Sequence, residues 1–154
     1  MSAGHPFVSQ TVLDCRHPRA LAEFYRELLG YSYRPGDEPP PAGEPDPRGE
    51  DWLVLRPGPD GGPGAAAAGR GLAFQAGADY VPPVWTPGPH RPGDQQQMLH
   101  LDLTVPDPES LERQRDRVIA LGGSELYDRS DDVDEPLYVF ADPAGHPFCI
   151  FVSG

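Results

Sequence analysis

The sequence repeats itself at an offset of 90 residues. Gln10-Thr-Val-Leu-Asp-Cys-Arg-His-Pro18 aligns without a gap on His100-Leu-Asp-Leu-Thr-Val-Pro-Asp-Pro108. Self-similarity at a fixed offset means one structural unit used twice. Each copy is an apolar-rich strand pattern running into a Pro, and each Pro opens a helical pattern. In the first copy Leu21, Phe24, Tyr25, Leu28 and Leu29 recur at helical spacing, and Gly30 closes the helix. In the second, Asp107 is placed to cap, Pro108 suits the first helical position, and Glu109 favours the positive end of the dipole. Leu111, Val118, Ile119 and Leu121 give this helix a thinner apolar face, and Gly122-Gly123 stops it.

Three strand patterns follow each helix. They are Tyr31–Arg34, Trp52–Leu55 and Gly71–Ala76 in the first copy, and Glu125–Tyr127, Leu137–Ala141 and Pro147–Val152 in the second. Asp142-Pro-Ala-Gly145 joins the last two as a type I turn, with Pro second and Gly fourth. The reading is an α+β fold of two βαβββ modules in a single domain over residues 1–154. Module one runs from about 7 to 77, a linker from about 78 to 97, and module two from about 98 to 154. Most of the 18 Gly and 21 Pro gather in segments 35–50, 57–71 and 82–93. They mark loops of a packed domain, not a low-complexity chain, and 35–50 reads as a mobile rim loop.

Alternation assigns faces within the strands. Thr11, Leu13 and Cys15 share one side, and Gln10, Val12 and Asp14 the other. Leu101, Leu103 and Val105 oppose His100, Asp102 and Thr104. Leu72, Phe74 and Ala76 oppose Ala73 and Gln75, while Phe148, Ile150 and Val152 oppose Cys149 and Phe151. The apolar sets meet the helices. The mixed polar and aromatic sets look onto a cavity or onto solvent, and alternation fits both.

Charge narrows the partners. The chain has 24 acidic residues against 12 basic ones, a formal net charge of −12. That disfavours nucleic acid, whose phosphates need a basic patch, and an anionic membrane surface. No apolar run approaches the ~20 residues that span a bilayer. Met1–Gln10 has no basic segment followed by an apolar stretch, so no secretory leader is expected. Cys15 and Cys149 make no disulfide framework. A cytoplasmic protein is the expectation. The sequence contains no phosphate-cradling Gly loop, dinucleotide fingerprint, nucleophile elbow, zinc-protease helix or CxxC pair.

The two strand–Pro–helix–Gly units, His100-Leu-Asp-Leu, and Asp142-Pro-Ala-Gly-His-Pro-Phe-Cys149 together resemble the vicinal oxygen chelate superfamily. The likeness is to its glyoxalase-like and bleomycin-resistance-like domains, and it covers nearly the whole chain. Phe74-Gln75, Val81-Pro-Pro-Val-Trp85 and the Gln-rich run before His100 look like one actinobacterial branch. The resemblance implies a cupped mixed β-sheet with helices on its outer face, often completed in a homodimer. It also implies a divalent metal in many members, held by one residue from the first and one from the last strand of each module. Carried over by position, those residues are Gln10, Gln75, His100 and Cys149.

Two readings follow. In the first, the chain is a small-molecule-binding protein with a polar and aromatic cup and no tightly bound metal, because amide carbonyls are weak ligands and only His100 and Cys149 are strong ones. Gln10, Asp14, Trp52, Gln75, Trp85 and Phe151 would then line the cup for an organic ligand, with Tyr80, Tyr138 and Phe140 as further aromatic candidates. In the second, a divalent ion (Zn, Ni, Mn or Fe) on the four carried-over positions serves a lyase, isomerase or dioxygenase acting on vicinal oxygens. Asp102 is the general-base candidate there. A metal-free enzyme using His100 and Asp102 as acid and base lies between the two. Each residue also has a plainer use. His100 and Asp102 can bond within the sheet face, Asp14 can hold a loop, and Cys149 can pack as a small thiol. Cys15 reads as core, His17 as helix start and His146 as turn packing. His5 and His90 fall in flexible-looking segments. The acidic run Asp131, Asp132, Asp134, Glu135 lacks calcium-loop spacing and reads as a solvated loop.

Overall fold

The computed structural model describes residues 4, 6–58 and 70–153, so His5 and most of segment 57–71 lie outside the described residues. The chain divides into two compact units, Met1–Tyr80 and Val81–Gly154. Most of the stretch read as a linker therefore groups with the second unit. Unit one runs β1 (Gln10–Cys15), α1 (Pro18–Leu29), β2 (Ser32–Tyr33), β3 (Trp52–Arg56), β4 (Gly71–Ala76). Unit two runs β5 (Leu101–Val105), α2 (Pro108–Ala120), β6 (Ser124–Arg129), β7 (Leu137–Ala141), β8 (Pro147–Val152). Each unit is a four-stranded mixed sheet backed by one helix, in orders β1-β4-β3-β2 and β5-β8-β7-β6. First and last strands pair in parallel and the others antiparallel. This is the α+β fold of two βαβββ modules that the repeat predicts.

The helices form where the sequence places them. Pro18 opens α1, and Gly30, at φ +66°, ends it in the left-handed region. Leu21, Ala22, Phe24, Tyr25 and Leu28 are buried by α1 against β3 and β4. Tyr25 stacks on Phe74 and meets Phe24 edge-on. In α2 the Asp107 carboxylate accepts the Ser110 N–H at 2.7 Å. Only Ser110, Leu111 and Val118 are buried on that helix, so the thin apolar stripe is reproduced. Gly123 lets the chain turn tightly under the helix. A Cβ there would stand 2.6 Å from Val118 Cγ1 and 3.1 Å from the Ala141 carbonyl oxygen.

Segment 35–50 departs from the mobile loop expected. Asp37 is fully buried. Its carboxylate accepts the Val54 N–H at 3.0 Å and pairs with Arg34 at 2.9 Å and Arg48 at 3.0 Å. Arg19 on α1 donates to the Asp37 carbonyl at 2.8 Å and forks onto Asp46 at 2.7 and 3.0 Å. The cause is the short β2. Beyond its two residues the edge of β3 has no strand partner among the described residues; there the Asp37 carboxylate takes the Val54 N–H and the Arg34 N–H donates to the Val54 carbonyl. The acidic run in unit two is also ordered by hydrogen bonds. Asp132 accepts from Arg129 and from the Asp134 and Glu135 N–H groups, which hold its carboxyl down at about 2. No helix among the described residues is long and apolar enough to cross a membrane.

Candidate functional site

In unit two, β5 and β8 pair with Asp102 directly opposite Cys149 and Thr104 opposite Phe151. Leu101, Leu103 and Val105 alternate with these, and Phe148 and Ile150 are buried. The side of the sheet away from α2 is therefore polar. His100 lies two residues before Asp102, and its Nε2 is 3.1 Å from Asp102 Oδ1. The ligand atoms of His100, Asp102 and Cys149 all lie within 4.8 Å of one another. His100 and Asp102 are exposed and Cys149 is half-buried. Burial pushes the Cys149 thiol above its ordinary range, and the charges of Asp102 and then Glu135 push it further.

This donor set fits a divalent ion. Nitrogen, carboxylate oxygen and thiol sulfur are three strong ligands, the number expected for a zinc centre that keeps an open fourth position. Sequence reasoning assigned no ligand role to Asp102, because the pairing of Asp102 with Cys149 depends on the β5–β8 register. The parallel pairing of first and last strands was the available signal.

The same row continues from Cys149 to Val139 on β7 and Tyr127 on β6. The Trp85 ring packs on Tyr127, centroids 5.6 Å apart. Trp85 thus stands on this polar side, whereas Tyr138 and Phe140, expected as cup aromatics, do not. Tyr138 donates its hydroxyl to Glu112 on α2 at 2.8 Å, and Phe140 is fully buried against Phe148. Phe151 lies between Thr104 and Leu137. His146 bonds the buried Asp142 through Nδ1 at 2.8 Å, and the same carboxylate accepts the Ala144 and His146 N–H groups, all within the β7–β8 turn.

In unit one a second row crosses three strands. Asp14 is opposite Gln75, which is opposite Trp52. Gln10 is not in it. It pairs with Gly71, four residues before Gln75. Four residues of strand rise about 13 Å, and side chains standing up from a sheet do not close that gap onto one ion. The structure thus brings Asp14, Gln75 and Trp52 together but separates Gln10 from Gln75. Aligning the units through the offset of 90 and their registers makes Cys149 equivalent to Ala73, Asp102 to Val12, and Gln75 to Phe151. Only His100 keeps a polar counterpart, Gln10. Tyr80 ends this unit, its carbonyl accepting from Arg16 at 3.2 Å. Cys15 is buried, its thiol directed at the Gln75 carbonyl.

No curated protein matches this sequence. Solved structures match it along its whole length. A glyoxalase/bleomycin resistance protein/dioxygenase family enzyme from Burkholderia phytofirmans superposes with a TM-score of 0.61 at 14% identity, covering 96% of this chain and 98% of that one. A genomically encoded fosfomycin resistance protein from Listeria monocytogenes gives 0.61 at 12%, covering 97% and 95%. A glyoxalase-related enzyme from Fulvimarina pelagi gives 0.59 at 17%, covering 97% and 89%. At these identities the likeness is one of fold. The match that reaches the sequence itself spans residues 10–151, from the first residue of β1 into β8. By that match the chain belongs to the glyoxalase-like domain family.

Proposed function

We propose that the chain binds a small organic molecule with neighbouring oxygens on the polar side of unit two, around a divalent ion held by His100, Asp102 and Cys149. The observation supporting this is the convergence of three strong ligand types within 4.8 Å. Two strong ligands, the number legible in the sequence, argue for a metal-free pocket; three argue for zinc or a similar ion. Structural neighbours named for fosfomycin resistance and for the dioxygenase family support this class of ligand by likeness of fold. Bound there, a divalent ion would supply Lewis-acid polarisation of the ligand's oxygens, the chemistry that lyase, isomerase or dioxygenase turnover needs. Asp102 would bring its carboxylate oxygen to the ion beside the His100 ring nitrogen, 3.1 Å away, and Cys149 sets a half-buried sulfur at the floor of the site. Gln10 and the row Asp14, Gln75 and Trp52 offer hydrogen bonds and a ring face to organic groups and no strong metal ligand beyond one carboxylate. Phe151 adds apolar surface in unit two.

The approach of His100 Nε2 to within 3.1 Å of Asp102 Oδ1 favours a second reading. There the pocket is metal-free, and His100 exchanges a proton with the ligand while Asp102 holds its ring.

Elemental mass spectrometry on tag-free protein purified without chelator separates the two. Near-stoichiometric metal in the wild type, lost in His100→Ala and Asp102→Asn, is the expected result. A wild type that stays metal-free after soaking in zinc overturns the first reading and leaves the second. A homodimer, implied by the resemblance, belongs to the same proposal. Light scattering would then give twice the mass of one chain.

A further inference from the structure

Tyr127 reaches the polar side of unit two through an irregularity in β6. Glu125 pairs with Phe140, yet Tyr127 pairs with Val139, so the register slips by one residue between them. In an unbroken ladder Tyr127 would oppose Tyr138 and face α2, as Glu125 does in bonding Arg115 of that helix. The bulge turns the ring to the other side, and bulges recur where a strand must re-aim a side chain beside a site. Trp85 meets it there. Trp85 comes from a segment fixed to the same unit, since Pro82 sits so near Gly145 that a Cβ on that glycine would be 2.9 Å from it. The row beneath is graded in polarity. Asp102 is exposed, Cys149 half-buried, Val139 covered at 5% exposure, and Tyr127 open at 39%. Tyr127 stands two strands from Cys149, about 10 Å away.

From this we infer that Trp85 and Tyr127 form an aromatic wall that selects ligands carrying a flat ring at one end and an oxygen-bearing head at the other. This rests on the proposed reading of the His100, Asp102 and Cys149 end as the place where the head binds. An aliphatic molecule with the same head would leave the wall unused. An aryl group on a short arm would pack against the Trp85 face, and such ring contacts add binding beyond the area they bury.

Calorimetric titration of the zinc-loaded full chain with 3-phenyllactate and with lactate tests it, because the two acids share a head and differ by the ring. Phenyllactate should bind at least about tenfold more tightly. Trp85→Ala and Tyr127→Leu should each weaken phenyllactate roughly 3- to 10-fold and leave lactate unchanged. Trp85 emission, isolated in a Trp52→Phe background, should respond to phenyllactate and not to lactate. Trp85→Phe, which keeps a ring, should retain most of the preference and serves if Trp85→Ala fails to fold. Equal affinity for the two acids, or a ring preference untouched in both wall variants, overturns the inference. If the wild type holds no ion, phenylpropionate and propionate replace the pair on metal-free protein. A ring preference that depends on Trp85 then upholds the wall and rejects only the metal, whereas its absence rejects the wall.

Discussion

Cys149 decides how the candidate site behaves with pH. Its thiol is held above the ordinary thiol range, first by burial and then by the charges of Asp102 and Glu135. A raised thiol is protonated at neutral pH, and a metal takes the thiolate, so ion uptake must release that proton. The sign follows directly. Between about pH 7 and 8.5, above the usual imidazole range, the apparent zinc affinity should rise roughly tenfold per pH unit. A pH-indicator titration should count about one proton released per ion. In Cys149→Ser the pH dependence should flatten and the affinity should fall. Zinc uptake with no proton release from wild-type protein would remove Cys149 from the ligand set. The resemblance already offers Cys149 as a ligand, while a lone Cys in an apolar strand reads equally as packing. What the sequence does not show is Asp102 directly across on β5, which adds to the raising of the thiol and supplies a third donor.

At the scale of elements, the strands and helices were legible because their signals are local. Pro18 and Pro108 set helix starts, Asp107 caps, Gly30 stops, and alternation carries the strands. Segment 35–50 was misread because its anchor is not local. The Asp37 carboxylate is tied to the unpaired N–H of Val54, 17 residues on. No composition rule shows that a carboxylate in a Pro-rich stretch completes a sheet edge. Asp37→Ala should leave the Val54 N–H buried and unsatisfied and free two arginines, both partly exposed. A loss of about 2–4 kcal/mol is expected in urea unfolding, together with new proteolytic cleavage inside 38–50. Asp37→Asn keeps one acceptor for Val54 and should cost less. Unchanged cleavage in Asp37→Ala would mean that the Arg19–Asp46 pair alone fixes the loop. A second element-scale test concerns Gly123. Its Cβ would overlap Val118 and crowd the Ala141 carbonyl, so Gly123→Ala should destabilise by about 1–3 kcal/mol through overpacking alone.

Across the whole molecule, one architecture was used twice and its polar sides diverged. The repeat made the fold legible, since an offset of 90 residues joins two strand–Pro–helix starts. It does not reach the last strands, where the resemblance and not the offset pairs Gln75 with Cys149; the ladders make Gln75 the counterpart of Phe151 and Cys149 that of Ala73. Gln75 meets Asp14 and Cys149 meets Asp102, and by the offset of 90 the counterpart of Asp14 is Thr104, so the two last-strand residues meet the first strand at different positions. A metal set drawn evenly from both units therefore meets a geometric obstacle in unit one, where Gln10 and Gln75 stand about 13 Å apart along the strands. The consequence is a sharp asymmetry between substitutions. His100→Ala should abolish metal uptake, Cys149→Ser should weaken it, and Gln75→Ala should leave metal content at the wild-type value while weakening any organic ligand that meets Asp14 and Trp52. Elemental mass spectrometry and ligand titration on the three variants give this pattern or refute it. Metal lost from Gln75→Ala, with the variant folded as judged by circular dichroism, would mean that the register argument fails and that unit one supplies a ligand after all.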